Sequence, residues 1–468
     1  MAPDSRPARN ALFLRPSLPL IPMAFLLVAL ALAGGASRIE APQQIVVRLI
    51  ATFVLTGVLL PLDFAALSGA RRLLWWVAGC YALLMVQLVP LHPSLWAGLP
   101  GHGSYARIAV ATDTPVWRPL SLTPDLTVDT LLALLPATAA LFAALFVPAR
   151  GWNRLFGWII LIAVASAVFS LIQLATGYPA SLTLYRVSTE NSATGLFANR
   201  NHQAVFLSSV LPILAALAHP RNRGDRPGRF FLPIAAISAC LIVTGVIVTG
   251  SRMGLIAGAL GLVAAILILA GGRDARLPGS TRRRRALAGA AAAGAGLLLA
   301  VGGWQAGLFD RLASTDVLAE SRVRMLQPLW EAVKAFMPLG SGFGSFDSIF
   351  RRFEPLELLS PIYMNQAHNE PMQIAIEGGV PALLLLALLG WWWVSALLGV
   401  LRLPSASPSR PLGLGCAAAT AILMLASLVD YPLRTPLLGG IFAIACIAMW
   451  RASRNSGPEG STSPFDLV

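Results

Sequence analysis

Apolar segments of about 20 residues, long enough to cross a bilayer as an α-helix, recur along almost the whole chain of 468 residues. Hydrophobic residues make up 56% of the chain. Charged residues make up only 12%, about half of the roughly 25% that is usual for a soluble domain. The chain is therefore not a water-soluble multidomain enzyme. The sequence predicts an all-α, polytopic integral membrane protein.

We predict about twelve transmembrane helices, at 17–36, 46–62, 73–91, 128–147, 156–176, 203–219, 230–249, 253–271, 286–304, 380–401, 412–429 and 437–450. The first has a basic start and the small-residue end Ala33-Gly34-Gly35-Ala36, which is also typical of a signal peptide. Because eleven spans follow it, retention as a membrane helix is favoured. The predicted organisation is an N-terminal bundle (1–304), a large, partly helical external loop (305–379), three C-terminal helices (380–450) and a disordered tail (451–468).

The net charge of +14 is distributed in a way that predicts the orientation of the chain. With both termini inside, the cytoplasmic segments hold 21 basic and six acidic residues, whereas the segments on the other side hold 14 basic and 15 acidic residues. Short cytoplasmic loops retain arginine and lysine, so both ends are predicted to be cytoplasmic. Runs such as Arg282 to Arg285 then serve as topology signals and lipid contacts, and no nucleic-acid partner is expected.

Ionisable residues are almost absent from the interiors of the predicted spans. Arg48 is the main exception, and we expect its guanidinium to snorkel towards the membrane surface. A carboxylate relay for ion-coupled transport is missing, which disfavours a transporter. The four cysteines lie far apart in apolar runs and predict neither a metal site nor a disulfide.

Polar residues gather instead in the loops predicted to be external, beginning with Asn199-Arg200-Asn201-His202. Asn201 is expected to cap the next helix, so that Arg200 and the exposed N–H groups form an anion site. The alternative is an interfacial ion pair between Arg200 and Glu190. His202 fits a hydrogen-bonded residue at the start of the helix better than a catalyst.

Three further arginines occupy predicted external segments. Arg252 lies in a tight hairpin at headgroup depth, where a phosphate or a lipid headgroup is its natural partner. Arg322 and Arg324 would point about 200° apart on a helix, so only one of them should enter a given site. The glycine-rich stretch 340–344 is more typical of an interhelical turn than of an anion nest.

The segment Ala367-His368-Asn369-Glu370-Pro371 precedes the tenth span. Asn369 fits an N-cap, and Pro371 is tolerated in a first turn. His368 would lie just outside the helix N-terminus, where the dipole favours a neutral imidazole that can accept a proton. The alternative is a histidine that only satisfies loop carbonyls. In the turn 430–436, Asp430 and Arg434 are expected to pair.

The chain contains no Asp-x-Asp, zinc spacing, nucleotide-phosphate loop or nucleophile elbow. The predicted inside loops are too short for a domain that would bind a nucleotide sugar. A phosphate-activated lipid donor is the remaining source of a sugar.

These motifs, in this order, make residues 190–440 resemble the O-antigen ligase and polymerase superfamily of bacterial inner-membrane glycan transferases. Asn199–His202 is similar to the family's Asn-Arg-Asn-His segment, and Ser251-Arg252 to its Ser-Arg hairpin. Arg322–Leu326 fits the Arg-x-x-x-Leu element of the ligases, and Gly342–Phe346 and Asp430–Pro436 also match. His368-Asn369 followed by Gly379 fits their His-Asn motif, except that Ala382 occupies its last position.

The resemblance implies transfer of a glycan from undecaprenyl diphosphate to a hydroxyl of lipid A–core at the periplasmic face, without a metal or cofactor. It implies His368 as the base and Arg200, Arg252 and Arg322 as the groups that bind the diphosphate. The supporting residues would be Asn199, Asn201, His202, Arg324, Asn369 and Arg434.

A polymerase that extends a glycan on the same carrier and a protein O-oligosaccharyltransferase are alternatives of the same class. An exporter or permease is the alternative of another class, and it predicts polar residues in a central cavity of the spans.

Overall fold

The computed structural model describes residues 20–60, 69–112, 117–220, 231–271, 324–358 and 364–454, and their regular secondary structure is almost entirely helical. Strands β1 (Pro90–Leu91) and β2 (Arg118–Pro119) form a two-residue antiparallel pair. The α-helices up to residue 175 are α1 (Leu20–Ala33), α2 (Gln43–Leu59), α3 (Arg71–Gln87), α4 (Pro93–Ala97), α5 (Gly103–Ala111), α6 (Pro124–Ala133), α7 (Leu135–Leu145) and α8 (Trp152–Ala175). Those after it are α9 (Arg200–Ala218), α10 (Phe231–Val248), α11 (Arg252–Ala270), α12 (Leu326–Phe336), α13 (Phe346–Phe350), α14 (Glu370–Arg402), α15 (Ser409–Ala426) and α16 (Pro436–Arg454).

Eight helical stretches in the described part of the chain are long and apolar enough to cross a membrane: Pro124–Leu145, Ala149–Ala175, Arg200–Ala218, Phe231–Val248, Arg252–Ala270, Glu370–Arg402, Ser409–Ala426 and Pro436–Arg454. Each coincides with a span predicted from the sequence. The first three predicted spans coincide with α1, α2 and α3, which have 14, 17 and 17 residues. The all-α membrane fold is thus confirmed. The span at 286–304 lies outside the described residues, so the total of twelve, the orientation and the periplasmic loop stay predictions.

Helix α9 runs through the centre of the bundle. Every residue of α9 from His202 to Ala218 is buried, and the helix packs against α8, α10, α11 and α15. Its two serines satisfy their hydroxyls within the helix, since Ser208 donates to the Ala204 carbonyl and Ser209 to the Phe206 carbonyl. A helix without an exposed polar face is typical of such a central position.

The segment before α9 is held in the bundle by two buried amide side chains. The Gln173 Oε1 atom of α8 accepts hydrogen bonds of 2.9 Å from the N–H groups of Thr194 and Gly195. Gln203 of α9 accepts from the Ser166 hydroxyl at 2.7 Å. Because buried polar groups are costly unless paired, these bonds restrict where α9 can begin.

Helix α14 is interrupted at Gly379, whose φ of 60° and ψ of −153° are not helical. The backbone passes so close to Pro338 that a Cβ at this position would lie 2.2 Å from its carbonyl oxygen. Glycine is therefore required on both steric and conformational grounds. The break separates the first nine residues of α14 from its long apolar part.

A second, smaller core lies beside the first turns of α14. It is formed mainly by α12, α13 and this part of α14, and includes the fully buried Leu329, Phe336, Phe346 and Ile376. The described part of 305–379 thus contains α12, α13 and the first turns of α14. The domain boundaries themselves stay predictions.

Arg48 does not snorkel, and the expectation from sequence was wrong. Its guanidinium forms a two-pronged ion pair with Asp129 of α6, and Arg48 Nη2 donates to Asp129 Oδ2 at 3.0 Å. The two side chains are only 15% and 22% exposed. A partner 81 residues away in sequence is not readable from a local pattern.

We expect Arg48→Leu to lower the free energy of unfolding by about 3 kcal/mol, because it leaves the Asp129 carboxylate unpaired in a poorly solvated position. Thermal unfolding in detergent micelles measures this loss. The charge swap Arg48→Asp with Asp129→Arg should recover most of it, and Arg186→Leu, at an exposed arginine, is the control. Equal stability of Arg48→Leu and wild type would contradict the assignment.

Candidate active site

Three helices begin at one place in the bundle, and their first residues are joined by side-chain hydrogen bonds. Asn201 of α9 accepts from the Ser251 hydroxyl at 2.8 Å, which links the starts of α9 and α11. Asn201 Nδ2 also donates to Asp430 Oδ2 at 2.9 Å, and Asp430 Oδ1 accepts from His368 Nδ1 at 3.1 Å. The turn between α15 and α16 therefore connects the starts of α9 and α11 to that of α14.

Each of these helix starts is capped by a side chain. Asn199 Oδ1 accepts from the Asn201 N–H at 2.8 Å, Ser251 Oγ from that of Gly254 at 3.0 Å and Asn369 Oδ1 from that of Met372 at 3.0 Å. The prediction for Asn369 is confirmed, whereas the cap of α9 is Asn199 and not Asn201. Helix ends are readable from sequence only within a few residues. The shift leaves the Asn201 side chain available for its bonds to Ser251 and Asp430.

Asp430 is the centre of the cluster, and its carboxylate is fully buried. Besides the bonds from Asn201 and His368, Oδ1 accepts from the N–H of Tyr431 at 3.0 Å. Burial alone raises the pKa of this carboxyl, but its interactions with His202 and His368 outweigh that effect and hold the pKa well below its usual range. Asp430 is thus a buried anion that attracts two imidazole rings.

His368 lies just before α14 in the left-handed backbone conformation, with φ 49°. The chain around it is held by hydrogen bonds from the Ala367 N–H to Gln373 Oε1 and from the Glu370 N–H to the Ser427 carbonyl, both 2.9 Å. Because the Asp430 carboxylate accepts the hydrogen bond from Nδ1, we assign the proton of a neutral ring to Nδ1. Nε2 makes no hydrogen bond to any described residue, and the side chain is 17% exposed. The ring can therefore accept a proton at Nε2.

Residues 235–387 match the family model described as O-antigen ligase. This segment is an O-antigen ligase domain. The resemblance to the O-antigen ligase and polymerase superfamily is thereby confirmed for this segment, and the match implies a membrane transferase of ligase or polymerase type. No curated protein sequence matches the chain.

The O-antigen ligase domain contains Arg252, His368 and Asn369, but it ends before Asp430 and begins after the start of α9. Asn201 and Asp430 nevertheless contact its residues directly. The candidate site is thus completed by two segments outside the matched domain.

The structure places the predicted anion-binding arginines as follows. Arg200 and Arg252 are the first residues of α9 and α11, both half-buried, and each adjoins one member of the Asn201–Ser251 hydrogen bond. The positive ends of two helices therefore accompany them. Arg322 lies outside the described residues. Arg324 is exposed, two residues before α12.

Arg434 does not pair with Asp430, contrary to the expectation from sequence. It forms a two-pronged ion pair with Glu370, with Nε to Oε1 at 2.6 Å and Nη2 to Oε2 at 3.1 Å. Nη2 also lies 3.8 Å from Oε2 of the buried Glu377. Arg434 thus braces the turn at 430–436 against the first turn of α14, beside His368.

His202 is fully buried, and its ring packs edge-on against Tyr431 at 5.1 Å between centroids, as that of His368 does at 4.8 Å. Its Nε2 lies 3.8 Å from Asp430 Oδ1 and has no hydrogen-bond partner among the described residues. Two histidines therefore face one carboxylate. Sequence reasoning missed this arrangement because it did not connect either histidine with Asp430.

The glycine-rich stretch 340–344 is a packed turn, as favoured from the sequence. A Cβ at Gly342 would lie 2.2 Å from the Ser121 hydroxyl. The N–H of Gly342 donates to the Glu377 carbonyl at 2.9 Å and that of Phe343 to Gln87 Oε1 at 3.0 Å. These two N–H groups are used for packing and are not available to an anion.

Proposed function

We propose that the protein transfers a glycan from undecaprenyl diphosphate to a hydroxyl of lipid A–core at the periplasmic face, without a metal. The observation that carries the proposal is the His368–Asp430 pair at the meeting point of three helix starts, within an O-antigen ligase-type membrane protein. Helix N-termini and arginines favour an anion, and the paired imidazole favours removal of a proton.

In the proposed reaction the acceptor hydroxyl attacks the anomeric carbon of the donor sugar. Its proton passes to Nε2 of His368, while the bond between the sugar and the diphosphate oxygen breaks. Asp430 stabilises the imidazolium that forms, because it is buried, ionised and bonded to Nδ1. Undecaprenyl diphosphate leaves with the negative charge.

The roles of the arginines in this reaction are also proposals. Arg200 and Arg252, with Arg322 from outside the described residues, would bind the diphosphate and stabilise the charge of the leaving group. Asn199 and Asn369 position the starts of α9 and α14, and Asn201 orients Asp430. Arg434 braces the site and does not bind the donor, because Glu370 neutralises its charge. Arg324 is the alternative to Arg322 in this role, because only one of the two should enter a given site.

A deletion strain separates the ligase from its nearest alternative through its lipopolysaccharide profile. Loss of a ligase leaves full-length glycan on undecaprenyl diphosphate and none on the core. Loss of a polymerase leaves single repeat units on the core. The second outcome would replace the proposed acceptor with a growing glycan on the same carrier.

We expect the transfer rate after metal chelation to stay within about twofold of the rate of the untreated protein, because permanently charged arginines can balance the diphosphate charge. The purified protein, treated with EDTA and assayed with lipid-linked donor, gives the comparison. Restoration of a lost rate by added Mg²⁺ or Mn²⁺ would show that the reaction depends on a metal.

A further inference from the structure

An apolar groove of about 470 Å³ lies between α12 and the beginning of α14. Seven of its eight lining residues are apolar, among them Trp330, Val333, Met372, Ala375 and Leu383. The eighth is Lys334. A sugar or a phosphate would find few hydrogen-bond partners along such a wall, whereas a hydrocarbon chain would gain apolar contact.

The groove connects the candidate active site with the apolar part of α14. Met372 lies in the first turn of α14, and its N–H donates to the capping side chain of Asn369. Asn369 directly follows His368 in sequence. Leu383 lies beyond the break at Gly379, in the part of the helix that is long and apolar enough to span a membrane. The lining residues thus lie on both sides of the break.

The rim of the groove has the composition of a membrane–water boundary. Trp330 and Lys334 are one helical turn apart on α12, and their side chains are both about half exposed. The opposite face of α12 is buried through Leu329, Ala332 and Phe336. Tryptophan and lysine side chains are typical of the interface, where their apolar parts contact lipid and their polar ends reach water.

We propose that this groove binds the first isoprenoid units of the donor's polyprenyl chain. The inference rests on the proposed function. If the diphosphate of the donor binds at the helix starts, its polyprenyl chain must extend from there into the hydrocarbon core of the bilayer. The groove begins at Pro371 and Met372, in the helical turn that follows His368, and ends at Leu383 in the part of α14 that can span a membrane. Its lining is apolar except for Lys334, so it provides that path.

The first test uses the wild-type protein in lipid nanodiscs and does not depend on activity. A polyprenyl diphosphate with a diazirine in its second isoprene unit is expected to label peptides that contain residues 330–337 or 372–383. Unlabelled undecaprenyl phosphate should compete, and phosphatidylglycerol should not. Equal competition by both lipids would show that an ordinary bilayer lipid fills the groove, and labelling confined to other helices would overturn the proposal.

The second test compares Ala375→Trp, which fills the groove, with Leu388→Trp on an exposed position of the same helix. Donors with an eleven-unit and a two-unit prenyl chain are assayed side by side. Ala375→Trp is expected to lower the ratio of kcat/KM for the long over the short donor at least tenfold, while Leu388→Trp leaves the ratio within twofold. An unchanged ratio in Ala375→Trp would overturn the groove assignment. If wild type transfers from neither donor while the labelling pattern holds, the proposed function fails and the groove stands.

Discussion

His368→Asn is expected to lower the rate of glycan transfer at least about a hundredfold, while the protein stays folded and still binds the lipid-linked donor. The reason is that in the proposed reaction Nε2 of His368 takes the proton of the acceptor hydroxyl, while Nδ1 is held by Asp430. Asparagine is the informative replacement because it tolerates the left-handed backbone at this position better than alanine does. A loss of activity then results from the missing imidazole and not from backbone strain.

The matched control is His92→Asn, a histidine outside the site. His92 caps α4 through its ring, and asparagine can replace it as a cap. Transfer by this variant should remain within about twofold of wild type. Donor binding, measured by competition with a labelled polyprenyl diphosphate, should be similar in all three proteins. A His368→Asn protein with normal turnover would remove the histidine from the mechanism.

Asp430→Asn is expected to reduce transfer by about a hundredfold or more, although the side chain keeps its size. The amide can no longer attract the imidazolium, and its NH₂ group can face Nδ1, which favours the wrong tautomer of His368. Asn201 and the Tyr431 N–H also lose a charged acceptor. Asp347→Asn is the control, because its ion pair with Arg351 lies on the surface.

The same variant has a pH-dependent effect on stability. The pKa of Asp430 is lower in the folded protein than in the unfolded chain, so its ionised form stabilises the fold above about pH 4, and this contribution is lost as the pH falls. The difference in the free energy of unfolding between wild type and Asp430→Asn should be largest near pH 7 and smaller below pH 4. A difference that does not change with pH would show that the ionised carboxylate does not stabilise the fold.

The helical membrane fold could be predicted from sequence because bilayer thickness imposes a length of about 20 apolar residues on each span. Eight predicted spans coincide with long apolar helices of the described chain. The start of α14 could also be predicted from local sequence. Asn369 precedes Glu370-Pro371, a pattern typical of an N-cap, and it does cap the helix. For α9 the cap was misplaced by two residues, from Asn199 to Asn201.

The partners of the charged groups could not be predicted, because they are distant in sequence. Asp430 and His368 are 62 residues apart, and Asn201 and Asp430 are 229 residues apart. Asp430 and Arg434 were expected to pair because they are one turn apart in sequence, yet each pairs across the fold. The central role of Asp430 depends on burial among three helix starts, which has no local signature.

The most direct test of the account is transfer by the purified protein in liposomes that contain undecaprenyl diphosphate-linked glycan and lipid A–core. Lipid A–core is expected to gain the glycan and undecaprenyl diphosphate to be released in equal amount, and both products should be absent for His368→Asn. Movement of the lipid-linked glycan across the bilayer without either product would contradict the account and indicate an exporter.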